Sequence, residues 1–108
     1  VRSGRRALVR CNAGRAIDVL DLTTHKRVRR IRLNSRASDM AITPDGKQAV
    51  IALPNDGDGT GSIGLLNLAT FELQLHPVSG EPHRIRLAPD GRTAVIMSDR
   101  SKKVWVVR

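Results

Sequence analysis

The sequence predicts an all-β chain of repeated four-stranded antiparallel units, on three observations. Residues 38–53, SDMAITPDGKQAVIAL, return 45 positions later as HRIRLAPDGRTAVIMS at residues 83–98. Each copy is a short apolar run, a turn and a second short apolar run, the pattern of a β-hairpin made twice. Helical periodicity is absent throughout, and the apolar runs are short and regularly spaced.

The turn is the best-defined part of the repeat. Pro44 and Pro89 suit the second position of a type I turn and Asp45 and Asp90 the third. Gly46 and Gly91 supply the left-handed position that lets a short hairpin close with the right twist. Ala49-Val50-Ile51 recurs as Ala94-Val95-Ile96 at the same spacing, so turn and strand agree.

In chain order, residues 5–11 read as a first strand, with Ala7-Leu8-Val9 in register with Ala49-Val50-Ile51. Ser3-Gly4-Arg5 then falls on Asp45-Gly46-Lys47, so the sequence opens inside a turn that lacks the Pro and Asp. Residues 12–15 turn the chain into a strand over 16–22, with Ile17, Val19 and Asp21 on one side and Asp18, Leu20 and Leu22 on the other. A turn at 23–26 leads to a strand over 27–33, where Val28 and Ile31 are out of phase by one step, the mark of a bulge or an edge strand. The second unit repeats the order with strands at 40–43, 48–53, 62–67 and 71–78. The third has strands at 84–88, 93–98 and 103–107. Four short strands per unit at a period near 45 are the signature of a propeller blade. The expected architecture is a partial β-propeller of four-stranded antiparallel blades, with a partial blade at 1–34, a complete one at 38–79 and an incomplete one at 82–108. A closed propeller needs at least about four blades, so further copies of the repeat are expected in a longer parent protein.

Composition narrows the function. A chain of 108 residues holds one modest domain, not an enzyme of several lobes. One Phe and one Trp leave a core of Ile, Val, Leu and Ala and little aromatic surface on which bases would stack. The net charge of +9 is almost all arginine, concentrated at Arg27, Arg29, Arg30, Arg32 and Arg36 beside Lys26, with Lys102, Lys103 and Arg108 near the C-terminal end. Such a face attracts polyanions. In an alternating strand the charges also simply face solvent, and nucleic acid is the disfavoured partner. Cys11 is alone, which excludes an internal disulfide and a multi-thiolate metal site and suits a buried small hydrophobe. No apolar stretch approaches the length of a membrane span.

Candidate sites are few. Asn55-Asp56-Gly57-Asp58-Gly59-Thr60-Gly61 is the least repeat-like stretch, and Asp56 and Asp58 are weak metal candidates. A calcium loop needs more oxygens, and the next acid is Glu72; a plain loop is the competing reading. His83 precedes an inner strand, where blade loops approach the central channel. It is the ligand-facing candidate, or else shapes the strand entrance through a local hydrogen bond. His25 in a turn and His76 on an outer strand do not join it in a metal set. Ser98-Asp99 and Ser79-Gly80 offer hydroxyls without a motif that fixes one against a base, so no residue is assigned a catalytic role. Asp39 and Asp99 are placed to accept backbone N–H bonds. No sequence feature specifies a cofactor.

Glu81-Pro82-His83-Arg84-Ile85-Arg86-Leu87-Ala88-Pro89-Asp90-Gly91-Arg92-Thr93-Ala94-Val95-Ile96 resembles the YVTN-type β-propeller repeat, related in form to WD40-like blades, with its Pro-His pair, apolar strand, Pro-Asp-Gly turn and second strand. Asp18-Val19-Leu20-Asp21-Leu22-Thr23-Thr24 and Gly64-Leu65-Leu66-Asn67-Leu68-Ala69-Thr70 resemble the strand and turn that follow in that repeat. The chain departs from it in having Val-Ile for Tyr-Val, His25 and Phe71 where the turn glycine is expected, and Met40 with no Pro-His before it. The resemblance implies a bacterial binding scaffold of about seven blades, often exported, hence periplasmic or extracellular. Relatives of the broader fold include lactonases and quinone- or haem-dependent oxidoreductases, the alternative class of function. None of their catalytic sets matches positions here. The expected role is a non-catalytic binding or interaction scaffold, meeting a protein or small molecule at the propeller mouth.

Overall fold

The computed structural model describes residues 2–3, 6–55, 60–90, 92–98 and 104–107, and every regular element among them is a strand. The strands are β1 (Arg2–Ser3), β2 (Arg6–Cys11), β3 (Ala16–Asp21), β4 (Lys26–Arg32), β5 (Asp39–Ile42), β6 (Gln48–Leu53), β7 (Thr60–Asn67), β8 (Leu73–Ser79), β9 (Arg84–Leu87), β10 (Ala94–Met97) and β11 (Val104–Val107). They form three antiparallel sheets in the orders β1-β2-β3-β4, β5-β6-β7-β8 and β9-β10-β11. Each strand pairs with its neighbour in sequence, so each sheet is a meander. The whole is an open stack resembling part of a β-propeller.

Sheet order follows from where the apolar residues point. Leu8, Ile17, Val19 and Ile31 of the first sheet pack against Met40, Ile42, Ala49, Ile51, Leu66 and Leu68 of the second. The opposite face of the second sheet, through Val50, Ala52 and Ile63, packs on Ile85, Ala94 and Ile96 of the third. β6 is therefore buried on both faces, and its run of Ala, Val, Ile and Leu shows no polar alternation after Gln48. Removing either partner's side chain would open a cavity: Ile51, fully buried, is the kind of residue whose truncation to Ala costs about 2–5 kcal/mol.

Three local readings are corrected. Ser3 lies in β1 and pairs with Arg6, with Arg2 opposite Ala7. In the second sheet Ile42 lies opposite Ala49, so Ser3 takes the place of Thr43 rather than Asp45, and only two residues separate the paired positions. Phe71 opens no strand: its N–H donates to the Asn67 carbonyl at 2.7 Å while the Asn67 N–H bonds to Glu72 O, which closes a turn before β8 begins at Leu73. Cys11 is half-buried rather than buried, because it lies on the face of the first sheet turned away from the second. The irregularity read in the fourth strand is present. The β3–β4 register shifts between Val19, opposite Arg29, and Leu20, opposite Arg27, leaving Val28 as the extra residue of a bulge on an edge strand.

Candidate functional site

The stack has two ends. At one lie the hairpin turns 43–47 and 88–93 and the turns 22–25 and 68–72. At the other lie the turn 12–15, Pro54 and Asn55 after β6, and the connectors 33–38 and 80–83 that carry the chain between sheets.

The first end is built from short polar residues that complete the backbone. Gly46 N–H donates to Thr43 O at 2.8 Å with Gly46 at φ 73°. The Asp45 carboxylate accepts the Thr43 hydroxyl at 2.6 Å and the Lys47 N–H at 2.9 Å. Those bonds, the Thr43 hydroxyl first, hold its pKa below the ordinary carboxylate value. Asp90 accepts the Arg92 N–H, the Thr93 N–H and the Thr93 hydroxyl, and its pKa is lowered by the same means, Arg92 N–H first. Pro44 and Pro89 sit exposed at the head of these two turns, and Gly91 lies outside the described residues. Asp21 and Asn67 repeat the device one turn later: each accepts two backbone N–H bonds, from Thr23 and Thr24 and from Ala69 and Thr70.

The second end holds the seams between sheets. Asp39 Oδ1 accepts the Met40 N–H at 2.9 Å and Asp39 Oδ2 the Ile85 N–H at 2.8 Å, tying β5 to β9. Ser38 Oγ donates to the His83 carbonyl at 2.8 Å, and the His83 N–H to Met97 O at 2.9 Å. His83 is half-buried at this seam beside Pro82, which is fully buried. One seam back, Arg10 reaches across from β2 to the carbonyls of Ala37 and Ser38 at 3.2 and 2.9 Å. Sheet-to-sheet contact here is thus polar at the rim and apolar beneath.

Between the first and second sheets this end opens into a groove made of three adjoining clefts. A cleft of about 340 Å³ is lined by Arg15, Asn34, Ser35, Arg36 and Asn55; a second, of about 510 Å³, shares Arg36 and adds Arg10 and Ser38. A third, of about 360 Å³, shares Asn34, Ser35 and Asn55 and adds Arg32 beside an apolar wall of Leu33, Leu53, Leu73 and Leu75. Ala37 N–H to Gly14 O and Leu33 N–H to Arg15 O, both 2.9 Å, fasten the connector to the turn 12–15.

Sequence reading singled out His83 at this end, and Asn55 as the head of the stretch 55–61, but not Arg10, Arg15, Asn34 or Ser35. The available signal was positional: 33–38 and 80–83 are the two inter-unit connectors, so both belong at one end. Asp56 and Asp58 lie outside the described residues, as do Asp99, Lys102, Lys103 and Arg108. Among the described residues no group of three or more His, Cys, Asp or Glu converges. His25 lies in a turn of the opposite end and His76 on the edge strand β8, so neither meets His83. No helix among the described residues is long and apolar enough to cross a membrane.

No protein-family model matches the chain, and no curated protein matches it. Solved structures do. Kuenenia stuttgartiensis hydrazine synthase is 25% identical, with a TM-score of 0.73 over 95% of this chain and 30% of that one. Dihydro-heme d1 dehydrogenase NirN, solved in complex with DHE, is 14% identical with a TM-score of 0.75 over 98% of this chain and 23% of that one. The β-propeller domain of the Trilobed protease from Pyrococcus furiosus, described as having an open velcro topology, is 19% identical with a TM-score of 0.66 over 97% of this chain and 36% of that one. This chain therefore spans roughly a quarter to a third of the length of the chains it resembles. The likeness to the Pyrococcus domain bears on the fold alone and agrees with the stack of sheets described above.

Proposed function

We propose that this chain is part of a β-propeller of YVTN-type repeats that serves as a non-catalytic binding or interaction scaffold. The observation that carries the reading is how the polar groups at the inner strands are used. Both Asp39 oxygens accept backbone N–H bonds, and the Ser38 hydroxyl is spent on the His83 carbonyl. These groups tie sheets together and leave the loop end as a shaped polar surface. The ligand, a protein or small molecule, meets that end, with His83 on its rim.

Further four-stranded sheets of the same repeat complete the propeller on either side of the three described. Support comes from equivalence of position: Val9, Ile51 and Ile96 occupy one site in three sheets, and Ile51 and Ile96 are fully buried while Val9 is 43% exposed. On its resemblance to that repeat, whose members are often exported, the reading extends to a parent protein that works in the periplasm or outside the cell.

A second reading, a piece of a propeller enzyme of the lactonase-like or quinone- or haem-dependent kind, draws support from the 25% identity to hydrazine synthase. Residues of further blades would then supply the chemistry. Turnover assays with lactones and with artificial electron acceptors separate the two. The scaffold reading expects none, and turnover abolished by His83→Ala would reverse the ranking.

A further inference from the structure

We propose that the edge strand β4 takes up, by strand addition, an extended segment of a partner protein in which acidic and apolar residues alternate. This goes beyond the scaffold reading, since it sets a partner on the outer edge of the first sheet and not at the loop end.

β4 pairs with β3 on one side, and among the described residues no strand lies on its other side. Its outward N–H and C=O groups are therefore a template for one more strand. β8, the outermost strand of the second sheet, carries Pro77, which has no N–H to donate. β4 has no proline: it reads Lys-Arg-Val-Arg-Arg-Ile-Arg, five cations in 7 residues. Among the described residues one carboxylate, that of Asp18, lies within ion-pair distance of any of them; it holds Arg30 at 2.7 Å and meets Arg27 at 3.8 Å. Arg29 rests over the Phe71 ring, 5.3 Å from its centre, a contact that leaves its charge in place. Such an edge repels a second copy of itself, because like charges directly opposite destabilise a pair of strands. It favours a strand that brings carboxylates.

The register sets which side chains an added strand would meet. Arg27 and Arg30 lie opposite Leu20 and Asp18 on the outer face of the first sheet, whereas Arg29 and Ile31 lie opposite Val19 and Ile17 on the face turned to the second. On that inner side the outermost strands β4 and β8 border the cleft of about 360 Å³ walled by Leu33, Leu53, Leu73 and Leu75, with Leu75 44% exposed. Successive residues of a strand point to opposite faces. A segment bonded to β4 thus sets one series of side chains beside Arg27 and Arg30 and the other toward the leucines. Carboxylates suit the first series and aliphatic groups the second. Main-chain bonds supply affinity in this mode, and the alternate side chains supply specificity.

The test is fluorescence anisotropy of a labelled, acetylated peptide of alternating Glu and Leu residues, titrated with the 108-residue chain at fixed ionic strength. Saturable binding is expected. Two versions of the peptide, each N-methylated at one alternate set of backbone nitrogens, should differ in affinity by about tenfold or more, because only one set donates to β4. Lys26→Gln/Arg27→Gln should weaken binding by about fivefold or more, and Leu75→Ser by about threefold. Arg86→Gln/Arg92→Gln removes the same charge from the third sheet and should stay within about twofold of the unmodified chain. A single-stranded oligonucleotide of the same charge should bind more weakly than the peptide. The peptide comparisons use the unmodified chain and hold whether or not a variant folds. Equal binding of the parent and both methylated peptides, equal weakening by the control pair, an unaffected Leu75→Ser, tighter binding of the oligonucleotide, or no saturable binding would each overturn the proposal. None of these outcomes bears on the scaffold reading, which the turnover assays decide.

Discussion

Five described non-glycine residues adopt left-handed backbone conformations: Asn12, Ala13, His25, Asn55 and Phe71, with φ between 50° and 63°. Ala13 gains nothing visible from its side chain there, being exposed at the tip of the turn 12–15. The left-handed region costs a residue with a Cβ about 1 kcal/mol relative to glycine. Ala13→Gly is therefore expected to stabilise the chain by about 0.5–1 kcal/mol in a urea melt, and His25→Gly by a similar amount. Phe71→Gly should do the opposite, because the ring lies under Arg6 and Arg29. His25 and Phe71 both stand where the repeat pattern calls for glycine, which signals the strain at His25 from residue identity alone, whereas the reading of a strand from 71 hid it at Phe71. The strain at Ala13 was not legible, since no repeat equivalent flags it. Acid stability belongs to the same scale. The paired hydrogen bond from Arg30 lowers the Asp18 pKa from 3.8 to about 2, so its stabilising effect is present above about pH 4 and is lost as pH falls toward 2. Asp45 and Asp90 act in the same direction. Asp18→Asn should flatten part of the acid limb of a stability-against-pH curve and leave the neutral limb's slope unchanged; an unchanged acid limb would count against the pairing.

Strands and hairpins could be read with good fidelity because each is specified locally: a period of two, a turn whose Asp and Gly satisfy its own backbone, an Asx cap at Asp21 and again at Asn67. What joins one element to another was much less visible. The Asp39–Ile85 bond spans 46 positions, and the Arg6 guanidinium donates to Leu68 O 62 positions away. Such partners are set by how sheets stack, and a repeat pattern gives their order but not their contacts. The groove was missed for the same reason, since its arginines come from β2, the turn 12–15, the end of β4 and the connector 33–38. Gly61 in β7 is a further case: a glycine inside a strand reads only as a weak spot or a bulge. In the fold it lets β7 pass close under β6 and Pro82. A Cβ on Gly61 would lie 2.5 Å from both Leu53 O and Pro82 Cδ. Since the clash is with backbone and a fully buried proline, Gly61→Ala is expected to cost about 2 kcal/mol or more. Gly46→Ala meets no atom within 4 Å and should cost only the left-handed penalty of about 1 kcal/mol. A Gly61→Ala variant as stable as the unmodified chain would mean that β7 does not run so close to that connector.

At the scale of the whole molecule, the second sheet is covered on both faces and the first and third on one face each. The outer face of the third sheet sets Val95 opposite Val106 and Met97 opposite Val104, with Val104 and Val106 59% and 55% exposed. On the first sheet Val9 lies on the outer face, where the matching Ile51 and Ile96 of the other sheets are fully buried. Apolar strand faces of this kind favour association with one another. The 108-residue chain is accordingly expected to associate in solution through these outer faces, driven by the same burial that holds the three sheets together. Light scattering coupled to size-exclusion chromatography should give a mass above 11.8 kDa that rises with concentration. Val9→Thr/Val104→Thr/Val106→Thr keeps the branched shape that suits a strand while making the faces polar, and should return the mass to that of a monomer. A monomeric unmodified chain that unfolds cooperatively would show that three sheets suffice by themselves. An associated triple variant would place the contact elsewhere, with the exposed edge strands β4 and β8 the next to be examined by substitution.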